Sequence, residues 1–160
     1  MSKTVRDVMQ SELHTVSPET ALPELERQFS ATKVGALPVV GASRRLEGIV
    51  SRSDVVRRYS LEQSLAELAD SDFDQTLGVE DDDDALEVIG AVVGRRLAKM
   101  RAADIMITEV VTIGPDEPLG EAARRMLERR IHRLPVVEDG RLVGIVSAFD
   151  IMRVYAESQG

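Results

Sequence analysis

The sequence predicts an α/β (α+β) fold: two β-α-β-β-α repeats packed with pseudo-twofold symmetry, with a helical and acidic insert between them. Three observations carry this. The tetrapeptide L-P-V-V occurs at 37–40 and again at 134–137. Flanking pairs keep that separation: D-V-M at 7–9 with D-I-M at 104–106, and T-V-S-P at 15–18 with T-I-G-P at 112–115, all offset by 97. Downstream, G-I-V-S-R-S-D at 48–54 matches G-I-V-S-A-F-D at 144–150 at an offset of 96, as does Tyr59 with Tyr155, so the first copy has one extra residue in the loop between. A register held over about 55 residues, with one slip inside a loop, marks a duplicated structural unit, and ligands often bind in clefts between packed units.

Each element follows from its residues. The T-V-S-P or T-I-G-P segment reads as a short strand running into a turn. The next helix has Thr20 or Glu117 near its start and Pro23 or Pro118 in its first turn, where a missing N–H costs little. Leu22, Leu25 and Phe29 share one helical face, as do Leu119, Ala122, Ala123, Met126 and Leu127. L-P-V-V reads as a buried strand whose proline belongs at its start or on an edge. Asp139-Gly140 is a strong hairpin signal, and the first copy uses G-A-S-R-R at that place. L-E-G-I-V-S and L-V-G-I-V-S return as strands, and a second helix opens at Ser51 or Ser147. Leu37, Val39, Ile49, Leu134, Val136 and Ile145 are the expected buried residues. The domains read as a first repeat over 1–59, an insert over 60–101 and a second repeat over 102–160. Within the insert, 61–69 continues helically, the acidic stretch 70–84 is expected to be a loop, and 83–100 reads as a helix. That helix has acids at its start and Arg95, Arg96, Lys99 and Arg101 towards its end, a polarity that suits the helix dipole.

Composition narrows the function. Apolar residues make up 43% of the 160-residue chain but aromatics only 3%, with no Trp, so the core is aliphatic and stacking platforms for single-stranded nucleic acid are lacking. There are no cysteines, which excludes disulfides and thiolate chemistry, and His14 and His132 are too few for a His-rich zinc site. The net charge is −8, yet residues 70–84 hold eight acids and no base, which leaves 20 acids against 20 bases elsewhere. A duplex-binding surface should be basic, so nucleic acid is not an expected partner. No apolar stretch approaches a membrane span, and Met1 is followed by S-K-T-V-R instead of an apolar signal segment, so the sequence reads as cytoplasmic. Asp70, Asp72, Asp74 and Asp81 have positions of a calcium loop, but its sixth position is Gln75 instead of Gly, and no metal site is assigned. No nucleotide-loop or hydrolase motif and no catalytic constellation occurs, so no catalytic residue is assigned and the chain is not expected to be an enzyme.

The ordered set of D-x-M, T-V-x-P, h-P-V-V and G-I-V-S-x-x-D, found twice, resembles the successive motifs of the CBS domain, over roughly 5–59 and 102–155. Two in tandem form a Bateman module. The insert at 60–101 is longer than the usual linker. The resemblance implies sheets that pack together and enclose two clefts, which often bind AMP, ADP or ATP and sometimes S-adenosylmethionine. It also implies a regulatory role and, for many members, a homodimer through the repeat helices.

The same resemblance assigns candidate ligand residues. Ser51 with Asp54, and Ser147 with Asp150, match its [T/S]-x-x-D signature, in which the hydroxyl meets phosphate or ribose and the carboxylate accepts from ribose hydroxyls. An ionised carboxylate suits a cis-diol, and a helix N-terminus beside it offers N–H donors. The same pattern is also a capping box, in which the Ser and Asp side chains satisfy backbone N–H groups. His132 and Arg133 stand where nucleotide-binding members supply phosphate contacts, and both side chains can donate to phosphate. The first copy has Gly35 and Ala36 there, so the two sites should differ. Thr15, Val16, Thr112 and Ile113 stand where the family holds adenine, or they are plain strand packing. The expected function is a stand-alone regulatory module that binds an adenine nucleotide in a cleft between the motifs and signals occupancy to an unidentified regulated protein. No cofactor is required beyond that regulatory ligand, with Mg accompanying ATP. Two alternatives are a ligand-free dimerisation scaffold and a sensor of an S-adenosylmethionine-type ligand.

Overall fold

In a computed structural model of the chain, the backbone is described for residues 3–77 and 82–158, and side-chain surroundings for those residues outside 69–89. The repeat pattern becomes, in order, α1 (Leu22–Thr32), β1 (Ala36–Val40), β2 (Leu46–Ser51), α2 (Arg52–Leu77), α3 (Asp82–Lys99), α4 (Ala102–Ile105), α5 (Leu119–Arg129), β3 (Arg133–Glu138), β4 (Arg141–Ser147) and α6 (Ala148–Ser158). L-P-V-V and G-I-V are neighbours in both copies, since β1 pairs with β2 and β3 with β4. The β3–β4 hairpin turns on Asp139 (φ 50°) and Gly140 (φ 78°), so the two-residue turn demands left-handed backbone at both positions, as D-G allows. The longer first-copy loop is instead a short 3-10 turn over Ala42–Arg44.

The expected first strand is reduced to one bridge. Val16 pairs with Val39 and Ile113 with Val136, both parallel. The N–H of Val16 donates to the Pro38 carbonyl, and that of Ile113 to the Pro135 carbonyl. Each proline therefore faces a neighbour only one residue long, where its missing N–H breaks no extended ladder.

The chain divides into two compact units that interleave in sequence. One comprises 16–39 and 49–107, the other 1–15, 40–48 and 108–160, called here the inner and outer units. Each has an aliphatic core. The inner core gathers Leu22, Leu25, Phe29, Leu37, Val39, Val50 and Leu97; the outer gathers Val5, Ile113, Leu119, Ala122, Met126, Leu134, Val136 and Val146. The D-x-M segments are exchanged between repeats. Val5 of the first copy is fully buried in the outer unit, where its N–H donates to the Glu117 carbonyl, and Gln10 pairs with Ile145. Ala102, beside the second D-x-M, is fully buried in the inner unit, where its N–H donates to the Thr20 carbonyl, and Ile107 pairs with Ile49. Gly144 makes the outer junction possible, because a Cβ there would fall 2.7 Å from Met9 Sδ and 3.0 Å from the Gln10 carbonyl.

Three expectations need correction. Ile49 and Ile145 are half-buried, while Val50 and Val146 are fully buried. Strand parity explains this: Leu142, Gly144 and Val146 share the inward face, so Ile145 must point the other way. Leu127 is 79% exposed, because the buried stripe of α5 runs Leu119, Ala122, Met126 and leaves the i+8 flank outside. The acidic stretch is helical as far as Leu77, since α2 contains neither Gly nor Pro and Gly78 is the first breaker. Aspartate lowers helix propensity by only about 0.7 kcal/mol per residue relative to alanine, which does not stop a helix by itself. The end of that expected loop, 82–84, belongs to α3, and 78–81 lies outside the described residues, as do the side chains of Asp70, Asp72, Asp74, Gln75 and Asp81.

Candidate functional site

The Ser-x-x-Asp signature sits at the strand-to-helix corner of each unit, and the two corners match almost atom for atom. In the outer unit, Asp150 Oδ2 accepts from the Ser147 N–H (2.9 Å) and the Ser147 hydroxyl (2.6 Å), while Ser147 Oγ accepts from the Asp150 N–H (3.2 Å). In the inner unit the corresponding distances for Ser51 and Asp54 are 2.8, 2.6 and 3.2 Å. The capping box is thus formed in both copies. It consumes only one carboxylate oxygen. The other, Oδ1, receives a guanidinium one helical turn on: Arg153 at 3.2 Å and Arg57 at 3.3 Å. Asp150 is 1% exposed and Asp54 8%.

The surrounding residues differ between units. Arg133 lies opposite Ser147 in the β3–β4 register, beside the capped corner. His132 precedes it and lines a different feature, an apolar groove of about 480 Å³ between α5 and α6 with Met126, Ile131, Ala148 and Ile151. Both side chains are exposed. Adjacent residues of an extended segment point to opposite sides, so this pair is split between two surfaces. In the inner unit, Asp54 borders a recess of about 190 Å³ with Arg57, Arg58, Leu61, Asp104 and Ile105.

Among the expected adenine positions, Val16 and Ile113 are buried and bound to the neighbouring strands. Ile113 uses both its backbone groups on β3. Thr15 and Thr112 are half-buried. The Thr112 carbonyl accepts from Arg125 (2.8 Å), which Glu117 and Glu121 hold in place; Glu117 also accepts from the Gly114 N–H (2.8 Å). The repeat offset puts Gln28 and Thr20 at those places in the first copy. There Thr20 Oγ1 accepts from the Ser17 N–H (3.1 Å), and the arginine clamp is absent from the sequence.

Arg57, Arg153 and Arg125 escaped the sequence reading. A signal for the first two was present, since Arg57 and Arg153 keep the offset of 96. Each corner thus holds a buried carboxylate with one oxygen in an ion pair to an exposed arginine side chain. Among the described residues no group of His, Asp and Glu could hold a metal ion, and no helix is long and apolar enough to cross a membrane.

The CBS-domain family model matches residues 5–61 and 102–157, the greater part of the sequence. The chain belongs to the CBS-domain family. It is 27% identical over 157 residues to a protein of Methanocaldococcus jannaschii, covering 92% of this chain and 88% of that protein. Other CBS-domain relatives are longer, and of one the chain spans 43%. CBSX2 of Arabidopsis thaliana, solved in complex with AMP, is similar with a TM-score of 0.70 and 26% identity, over 98% of each chain. The CBS domain pair of protein MJ0100, solved with 5′-methylthioadenosine and S-adenosyl-L-methionine, has a TM-score of 0.61 at 21% identity over 99% of each chain, a likeness of fold.

Proposed function

We propose that this chain is a regulatory module that binds an adenine nucleotide, with Asp54 and Asp150 as ribose acceptors and Arg133 as a phosphate contact. The observation that carries the reading is the state of Oδ1: in both units capping occupies Oδ2 alone and leaves the second oxygen to an exposed arginine side chain. Thr112 offers backbone at the adenine position, with its carbonyl steadied by Arg125. The AMP complex of CBSX2 favours an adenine nucleotide over other nucleosides. Occupancy would favour one arrangement of the module, and a partner protein would read it by population shift. Titration calorimetry with AMP, ADP and ATP tests this. Asp→Ala at an occupied corner removes a charged acceptor and should weaken binding by about ten- to a hundredfold. If Asp54→Ala and Asp150→Ala both leave the affinity unchanged, the carboxylates are caps and nothing more.

We also propose that the module is a homodimer joined through its helices. Leu127 is 79% exposed, Phe149 70%, Tyr155 68% and Met152 59%, all on α5 and α6 of the outer unit. Large apolar side chains exposed on two helices that pack together suit an interaction surface. Light scattering should give twice the chain mass of 17.6 kDa, and Met152→Glu should restore the single mass. A wild-type mass near 17.6 kDa at micromolar concentration overturns the dimer.

A further inference from the structure

We propose that Arg57 and Arg153 act as displaceable counter-ions of the two ribose acceptors and set the choice between anionic and uncharged or cationic adenosyl ligands. This rests on the ribose reading above and extends it to ligand class.

The argument begins with an occupied oxygen. Asp150 is almost fully buried, and its Oδ2 already takes two hydrogen bonds. A ribose diol must therefore use Oδ1, the atom to which Arg153 donates at 3.2 Å. Asp54 and Arg57 repeat this at 3.3 Å. Among the described residues neither arginine has a second hydrogen-bond partner. The Arg153 side chain is 54% exposed and that of Arg57 75%, and an ion pair with one solvated partner is weakly held. A diol can thus take the guanidinium's place without leaving the carboxylate unpaired.

Displacement does not remove the charge. The guanidinium stays within a side chain's reach of the ligand, attached one turn along the same helix. An anionic phosphate gains from it through charge-assisted hydrogen bonding, a neutral thioether gains nothing, and a sulfonium is repelled. Each ligand displaces the same ion pair, but only the anion recovers a partner for the arginine. The repeats give a second line of support. Positions 52, 53 and 56 carry Arg, Ser and Val, whereas 148, 149 and 152 carry Ala, Phe and Met; Ser, Asp and Arg alone are identical across these seven-residue corners. An ordinary exposed helix pair would have no reason to be spared where its neighbours diverged.

The experiment compares AMP with 5′-methylthioadenosine by titration calorimetry on the full chain. The variants are Arg57→Gln, Arg153→Gln, the double variant, and Arg→Lys at both positions, with melting curves to show that each is folded. The ratio of AMP to methylthioadenosine affinity should fall by about tenfold in the glutamine variant of the occupied site and return with lysine, since a charge pair of this kind is worth about one decade of binding. If wild type binds AMP alone, the glutamine variants should gain methylthioadenosine binding. An unchanged ratio, or no such gain, overturns the inference. When that happens while Asp54→Ala or Asp150→Ala still weakens AMP, the ribose reading stands and only the arginine role falls. If neither aspartate matters, or neither ligand binds, both fall together.

Discussion

Arg52 and Ala148 occupy the same place in the two repeats, and around them the inner and outer units have become different surfaces. In the inner unit the Arg52 guanidinium donates to the Val34 carbonyl (3.0 Å) and the Phe29 carbonyl and lies 5.9 Å above the Phe29 ring. Tyr59 closes the same side by donating to Glu26. In the outer unit the corresponding residues are Ala148, Ile131, Met126, Tyr155 and Ala123. Among the described residues no side chain hydrogen-bonds back across that corner, and an apolar groove lies between α5 and α6. The backbone corner is nonetheless the same: the Arg52 N–H donates to the Gly35 carbonyl and the Ala148 N–H to the His132 carbonyl. The duplicated frame is held by backbone geometry together with the repeated serine and aspartate caps. The face beside it is set by single side chains and is free to diverge.

The two cores should prove equivalent where the faces are not. Leu37→Ala and Leu134→Ala remove matched, fully buried leucines, and each should cost about 2–5 kcal/mol in urea unfolding. A much smaller loss in one would show that the units do not contribute alike. Arg52→Ala tests the closed face. It strips two carbonyl acceptors of a charged donor and should cost about 1.5 kcal/mol, toward the low end for charged hydrogen bonds because Arg52 is exposed. The reciprocal Ala148→Arg should shrink the outer groove, read as reduced uptake of an apolar dye. Ser51→Ala and Ser147→Ala should each cost about 1 kcal/mol, the usual value of an N-cap, and unequal losses would break the symmetry of the corners.

The smallest effect lies in Tyr59. Its hydrogen bond to Glu26, with burial second, pushes the phenol up to about 12. A raised acid is stabilised in its protonated form. Its contribution is complete below the ordinary value of 10.0 and is lost as pH rises towards about 12. Phenolate absorbance should show a tyrosine ionising near that upper value, and Tyr59→Phe should abolish that step. Survival of the step in Tyr59→Phe would remove Tyr59 from this account.

What the sequence showed and what it concealed follow the range of the physics. L-P-V-V, the Asp139-Gly140 turn and the Ser-x-x-Asp corners are local, so their residues announce them. The inward face of β4 is not local. It depends on Met9 lying against Gly144, and parity from the Leu-Val-Gly-Ile-Val run alone does not say which residues that contact will bury. The helical state of 70–77 was hidden by composition, because acids suggested a loop where only the lack of Gly and Pro mattered. Arg57 and Arg153 were visible as repeated letters but silent as chemistry, since a pair to Oδ1 exists only once capping has claimed Oδ2.

The exchanged D-x-M segments also set an order of events during synthesis. Every residue of the inner unit lies between positions 16 and 107, so it can close while translation continues. The outer unit draws on 1–15 and on 108 onward. Val5 and Met9 are translated before the inner unit, yet their partners at Glu117 and Gly144 are translated after it. While the inner unit is being made, these apolar side chains wait without their pocket. The outer unit thus cannot be completed until its later segment has followed the whole of the inner unit.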